Sequence, residues 1–175
     1  LTKDPNKLKI YVEGFDSHCI NAAGYFFDQM PDIDPTDVKS VNSIKDKYPK
    51  LRHASKPITF AAQYGGTFRT FMDCGFSEDQ SKQIEDRYHS LYKVSDDWVL
   101  EKVKHANQHG YVTSAFGLRI RTPILKQVIL NQRNTPFEAQ NEARTLGNAV
   151  SGQSYGLLNN RVGIEVQKDC LASEY

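Results

Sequence analysis

Arg52, Lys56, Phe60 and Tyr64 recur at every fourth position of the 175-residue sequence. Four residues of an α-helix turn by about 400°, so each side chain sits about 40° round from the last and the four form one drifting row. Two cations followed by two aromatic rings on one helical face suit a nucleoside triphosphate: charge for the phosphates at one end, flat apolar surface for sugar and base at the other. Taken without further context, Phe60 and Tyr64 read equally well as core residues. Pro57 lies inside the row, and a proline belongs in the first turn of a helix rather than its interior. This predicts a helix near residues 54–64, capped at or just before Ser55, with Arg52 just outside its regular part.

Charge is segregated along the chain although the net value is only +1. Between Lys47 and Met72, and again between Lys102 and Arg133, there is no acidic residue, yet these two stretches carry half of the 22 lysines and arginines. Such clustering attracts phosphates locally even on a nearly neutral molecule. With 39% hydrophobic and 25% charged residues the chain can bury a core. No run approaches the roughly 18 apolar residues of a membrane span, and the first residues lack the blocks of a signal peptide, so a cytoplasmic chain with no membrane partner is expected. Cys19, Cys74 and Cys170 are odd in number and far apart, which predicts reduced thiols rather than a disulfide framework or zinc site.

The elements that must position the row read as mostly helical. Residues 18–30 form a helical pattern through Ile20, Ala23, Phe26 and Phe27, closed by a loop around Pro31 and Pro35. A weaker helix over residues 36–48 ends at Pro49, and a short one over residues 67–73 stops at Gly75. Ser77 and Gln80 form a capping box ahead of Ile84, Tyr88, Leu91 and Tyr92, an amphipathic helix. Ser95 is read as the cap of the next helix, which ends at Gly110. Residues 111–116 and 119–122 flank Gly117-Leu118 as a two-residue hairpin, and Pro136 opens a long helix troubled by Gly147, Gly152 and Gly156. The expected fold class is mainly α with one small β-hairpin.

The row together with Gly65 matches RxxxKxxxFxxxYG and resembles motif B of the family A DNA polymerases, the DNA polymerase I-like group that includes phage enzymes. Glu13-Gly14-Phe15-Asp16-Ser17-His18 resembles the EGxDxH segment that precedes it. His109-Gly110-Tyr111-Val112-Thr113 with Phe116-Gly117-Leu118-Arg119 resembles the GYVxTxxGRR hairpin, with Ser114 and Leu118 as departures, and Arg144 and Asn148 resemble the RxxxN of the minor-groove helix. Order and spacing agree over about residues 8–165. The resemblance implies the fingers subdomain over residues 12–133 and the start of the palm-proximal minor-groove helix over residues 134–175. Departures at Pro57, Gln63 and Gly152 favour a phage or phage-like source.

By the same resemblance, Arg52 and Lys56 hold the triphosphate, with Lys56 nearest the reacting phosphorus, and are the catalytic candidates. His18 reaches the β-phosphate, although a lone helix histidine also reads as an ordinary surface or core residue. Phe60 packs on the sugar and goes with discrimination against dideoxynucleotides, while Tyr64, beside a flexible Gly65-Gly66 pair, stacks at the templating position. Arg144 and Asn148 read the minor-groove acceptors, with Gln153 a candidate third reader because Gly152 occupies the usual glutamine place. Arg119 and Arg121 suit the phosphate backbone or a solvated strand face.

Nucleotidyl transfer by two metals needs carboxylates that bridge two Mg²⁺ ions about 4 Å apart. The family supplies them from DYSxxELR and HDE segments, neither of which occurs in these residues. Asp32 and Asp34, the tightest acidic pair, read as solvated loop charges. The resemblance therefore implies template-directed DNA synthesis in a complete enzyme with two Mg²⁺ ions, primer-template DNA, a dNTP and the remaining polymerase domains or a split subunit as partners. It also implies an inactive chain when isolated. The alternative is a non-catalytic helical module that binds DNA through its basic stretches and rings.

Overall fold

A computed structural model describes residues 2–130 and 135–173; Arg133, counted above in the second basic stretch, lies outside them. Nine α-helices and one antiparallel hairpin are found among the described residues, in agreement with the mainly α expectation. They are α1 (Pro5–Val12), α2 (Ser17–Phe26), α3 (Val38–Asn42), α4 (Ile44–Lys47), α5 (Pro49–Gln63), α6 (Phe68–Met72), α7 (Glu78–Leu91), α8 (Lys93–His109) and α9 (Phe137–Ser173), with strands β1 (Tyr111–Thr113) and β2 (Arg119–Arg121) between the last two helices. The chain divides into two compact units, Thr2–Trp98 and the residues from Val99 onward.

In the first unit α2 is the central element. Asp16 caps it by accepting the amides of His18 and Cys19, each at 2.9 Å. Its Cys19, Ile20, Ala22, Tyr25 and Phe26 are buried, and α5 and α7 pack around it through Ile58, Ile84 and Tyr88. The capping box of Ser77 and Gln80 forms as expected at the start of α7. The Ser95 cap does not form, because α8 already begins at Lys93. Ser95 instead donates through its amide and its hydroxyl to Asp4, both at 3.0 Å, and this fully buried carboxylate also caps α1. The weak helix at residues 36–48 is in fact two, since Asp37 caps a first turn at the Ser40 amide and the chain re-enters helix after Ser43.

The helix expected near residues 54–64 begins five residues earlier, because Pro49 rather than Pro57 occupies the helix-opening position. Arg52 is therefore inside the helix. Pro57 stands in its interior, where the ring removes the hydrogen bond to the His53 carbonyl.

In the second unit the hairpin pairs Tyr111 with Arg121, Val112 with Ile120 and Thr113 with Arg119. Its turn is not the two-residue Gly117-Leu118 form. The Ser114 amide donates to the Leu118 carbonyl and the Gly117 amide to the Ser114 carbonyl, leaving a three-residue loop whose last member, Gly117, takes φ +82°. The Ala115 amide donates to Ser154 of α9 at 2.9 Å, which ties the loop to the long helix. Gly147 packs against Val99, so closely that a Cβ there would meet a valine methyl at 2.6 Å. The helix runs unbroken through Gly147, Gly152 and Gly156 to Ser173. No helix among the described residues is long and apolar enough to cross a membrane.

Candidate nucleotide and nucleic-acid site

The row Arg52, Lys56, Phe60, Tyr64 forms on α5 because the opposite face is committed to the core. Ser55, Ile58 and Thr59 are buried there. The Ser55 hydroxyl lies 3.1 Å from the His18 carbonyl, and the Tyr25 and Thr59 hydroxyls pair at 2.9 Å, so polar contacts fix the rotation of α5 against α2. With that face turned inward, the about 40° drift carries the row from the α2 contact out to solvent. Arg52 and Lys56 are half-buried, whereas Phe60 and Tyr64 are 55% and 59% exposed. Neither ring belongs to the core of the described residues.

Beyond Tyr64 the helix closes in a Schellman cap. The Gly66 amide donates to the Ala61 carbonyl at 2.8 Å and the Gly65 amide to the Ala62 carbonyl at 2.9 Å, with Gly65 at φ +77°. The Gly65-Gly66 pair, expected to be flexible, is thus used to stop the helix at Tyr64. A Cβ on Gly66 would approach the Ala61 carbonyl oxygen to 2.8 Å.

At the cationic end, Arg52 donates from Nη2 to Asp16 at 2.8 Å. Burial alone would raise the Asp16 carboxyl, but hydrogen bonds from Arg52 and from the Cys19 amide outweigh it and hold it at about 2. His18, in the first turn of α2, is lowered from its ordinary value by burial first and then by Lys56 and Arg52, which places the three groups in one electrostatic cluster. His18 Nδ1 and Arg52 Nε are buried without a hydrogen-bond partner in the protein. Both atoms are closed to solvent, so a polyanion beside Lys56 would reach them only if the His18 and Arg52 side chains turned outward.

Asp16 is the residue that sequence reasoning left without a role, although it stands in the EGxDxH-like segment. Its position as a cap was readable from the pattern; its partnership with Arg52, 36 residues away, was not. Asn42, which accepts the Asp16 amide at 2.7 Å and donates to the Gly14 carbonyl, had no local signature at all.

Other expected residues fall elsewhere. Arg119 is exposed on β2 with its guanidinium 4.5 Å from the centre of the Tyr111 ring, and Arg121 is exposed beside it in the strand. Arg144 is exposed on α9 and donates to Asn141 at 2.9 Å, and Asn148 is half-buried one turn on. Because α9 is continuous, Gln153 lies about 140° round from Asn148 and leaves the row that begins at Arg144, so it is not a ready substitute for the residue at Gly152.

The described residues do not fit a pair of Mg²⁺ ions. No group of three or more His, Cys, Asp or Glu side chains among the described residues could hold a metal. Asp32 and Asp34 are exposed loop charges, as expected, and each has local partners. Asp32 accepts Lys47 at 2.8 Å and the Tyr48 hydroxyl, and Asp34 accepts the Thr36 amide and hydroxyl.

No protein-family model matches the sequence. Individual relatives do. The chain is 24% identical over its whole length to DNA polymerase I of Streptococcus pneumoniae serotype 4, of which it covers 18%. It is 27% identical over 88% of its length to DNA polymerase I of Treponema pallidum, and 23% identical over 76% to the thermostable DNA polymerase I of Thermus aquaticus, covering 14% of each. Its homologues are the family A DNA polymerases. The POL domain of Pol1 from M. smegmatis, solved with DNA primer-template and dNTP, shares the fold over 88% of this chain and 24% of its own, with a TM-score of 0.65 and 20% identity. The chain thus spans less than a fifth of the length of the curated family A relatives it matches.

Proposed function

We propose that this chain is the fingers and the adjoining start of the palm of a family A DNA polymerase, and that the outward row of α5 holds the incoming dNTP during template-directed DNA synthesis. One observation carries this reading: Arg52, Lys56, Phe60 and Tyr64 share a face that runs from a cationic cluster with idle nitrogens to two exposed rings. In it Lys56, Arg52 and His18 hold the phosphates, Phe60 meets the sugar and Tyr64 the templating position. Residues 12–133 form the fingers, and residues 134–175 begin the helix whose Arg144 and Asn148 meet the minor groove of primer-template DNA. Arg119 contacts the template backbone.

The carboxylates for two Mg²⁺ ions come from outside these residues, so the isolated chain binds nucleotide but does not extend a primer. The remaining polymerase domains, or a partner subunit, complete the enzyme in the cytoplasm of a bacterial or phage-infected cell.

The test is a dNTP titration of the chain and two variants. Lys56→Ala should weaken binding at least tenfold, while Lys126→Ala, which removes an exposed cation of the second basic stretch, should leave it unchanged. Equal loss of DNA affinity in both variants with no triphosphate binding would favour the DNA-binding module instead.

A further inference from the structure

We infer that Asp16 is a positioning residue for the triphosphate end of the row, holding His18 and Arg52 in one arrangement. The inference rests on the nucleotide-binding reading of α5. It starts from the two oxygens of a single carboxylate. Oδ1 accepts the amides of His18 and Cys19 at 2.9 Å and so sets where α2 begins and where the His18 ring leaves it. Oδ2 accepts Arg52 Nη2 at 2.8 Å from the neighbouring helix. Both groups brought together in this way retain a buried nitrogen with no partner, His18 Nδ1 and Arg52 Nε. The backbone that carries the carboxylate is also held, since the Asp16 amide donates to Asn42 Oδ1 at 2.7 Å.

A carboxylate beside a phosphate site has two opposed effects. Its charge repels the phosphates, but its hydrogen bond removes the rotamer freedom that a long arginine would otherwise lose on binding. A purely structural Asp16 would show only the first effect in binding. A positioning Asp16 shows the second, and shows it through Arg52.

Asparagine caps a helix about as well as aspartate, so Asp16→Asn keeps the α2 cap and removes the charged acceptor. Affinity for dATP with Mg²⁺ is measured for the parent chain, Asp16→Asn, Arg52→Ala, the double variant and Lys56→Ala, with circular dichroism melts as the control for folding. Asp16→Asn should weaken dATP binding about tenfold in the parent and have no further effect in the Arg52→Ala background. Unchanged or tighter binding by Asp16→Asn, or the same loss in both backgrounds, overturns the positioning role. If Asp16→Asn does not fold, Asp16→Ser supplies another uncharged cap and carries the same expectation. Should the parent fail to bind dATP, or Lys56→Ala bind it equally well, the nucleotide-site reading falls and the inference with it; a loss in Lys56→Ala alone overturns the inference only.

Discussion

The two helices that carry the candidate contacts are held in place by different means. In α5, fifteen residues long, the buried Ser55, Ile58 and Thr59 and two hydroxyl contacts to α2 set the rotation of the whole helix. In α9 the buried residues are Ala139, Leu146, Gly147, Val150 and Ser154, all in the first half, and every side chain from Asn159 to Ser173 is exposed. Packing therefore decides which face of α5 looks outward. The far half of α9 buries no side chain; apart from the Arg161 guanidinium, 5.2 Å from the centre of the Phe116 ring, it is oriented by helix continuity, so its residues inherit their directions from the anchored half.

Substitutions can break this contrast. The largest effect is expected at the face beneath the row: Ile58→Ala, at a fully buried site, should cost about 2–5 kcal/mol in urea denaturation. Gly147→Ala comes next, because the added Cβ would meet Val99 at 2.6 Å; it should destabilise by about 1–3 kcal/mol. The same substitution at Gly156, where a Cβ would meet nothing within 4 Å, should instead stabilise by about 0.5–1 kcal/mol. A loss at both glycines would mean that the second half of α9 is packed after all.

Asp16 gives the pH dependence of the α5 anchor. Its carboxyl is held below the unfolded value, so its contribution is complete above the ordinary aspartate range and is lost as pH falls from about 4 toward about 2. After allowance for solvent screening, Asp16→Asn should cost roughly 1 kcal/mol at pH 7, and the difference from the parent should close toward pH 2. Smallest of all, Val166→Ala in the exposed stretch should shift stability by less than about 0.5 kcal/mol.

What the sequence made legible follows the same division. The period of Ile84, Tyr88 and Tyr92, the Ser77 capping box and the Arg52–Tyr64 row depend on residues within a few turns of one another, and helix geometry alone orders them. Misread features depended on partners distant in the chain or on a choice between similar local signals. Ser95 looked like a cap because its bond to Asp4, 91 residues away, leaves no local trace. Pro57 looked like a helix start because Pro49, equally suited, was assigned to end the preceding helix. Gly65-Gly66 read as a flexible pair, whereas its two amides close the helix on the carbonyls of Ala62 and Ala61. The Asp16–Arg52 pair joins two helices across 36 residues and has no signature in either.

The most direct measurement is a nuclear magnetic resonance titration of the chain with dATP and Mg²⁺. Signals of His18, Arg52, Lys56, Phe60 and Tyr64 should move together with one dissociation constant, while those of residues 159–173 stay still. Shifts confined to α9 and the hairpin, or none at all at millimolar dATP, would contradict a nucleotide site on α5.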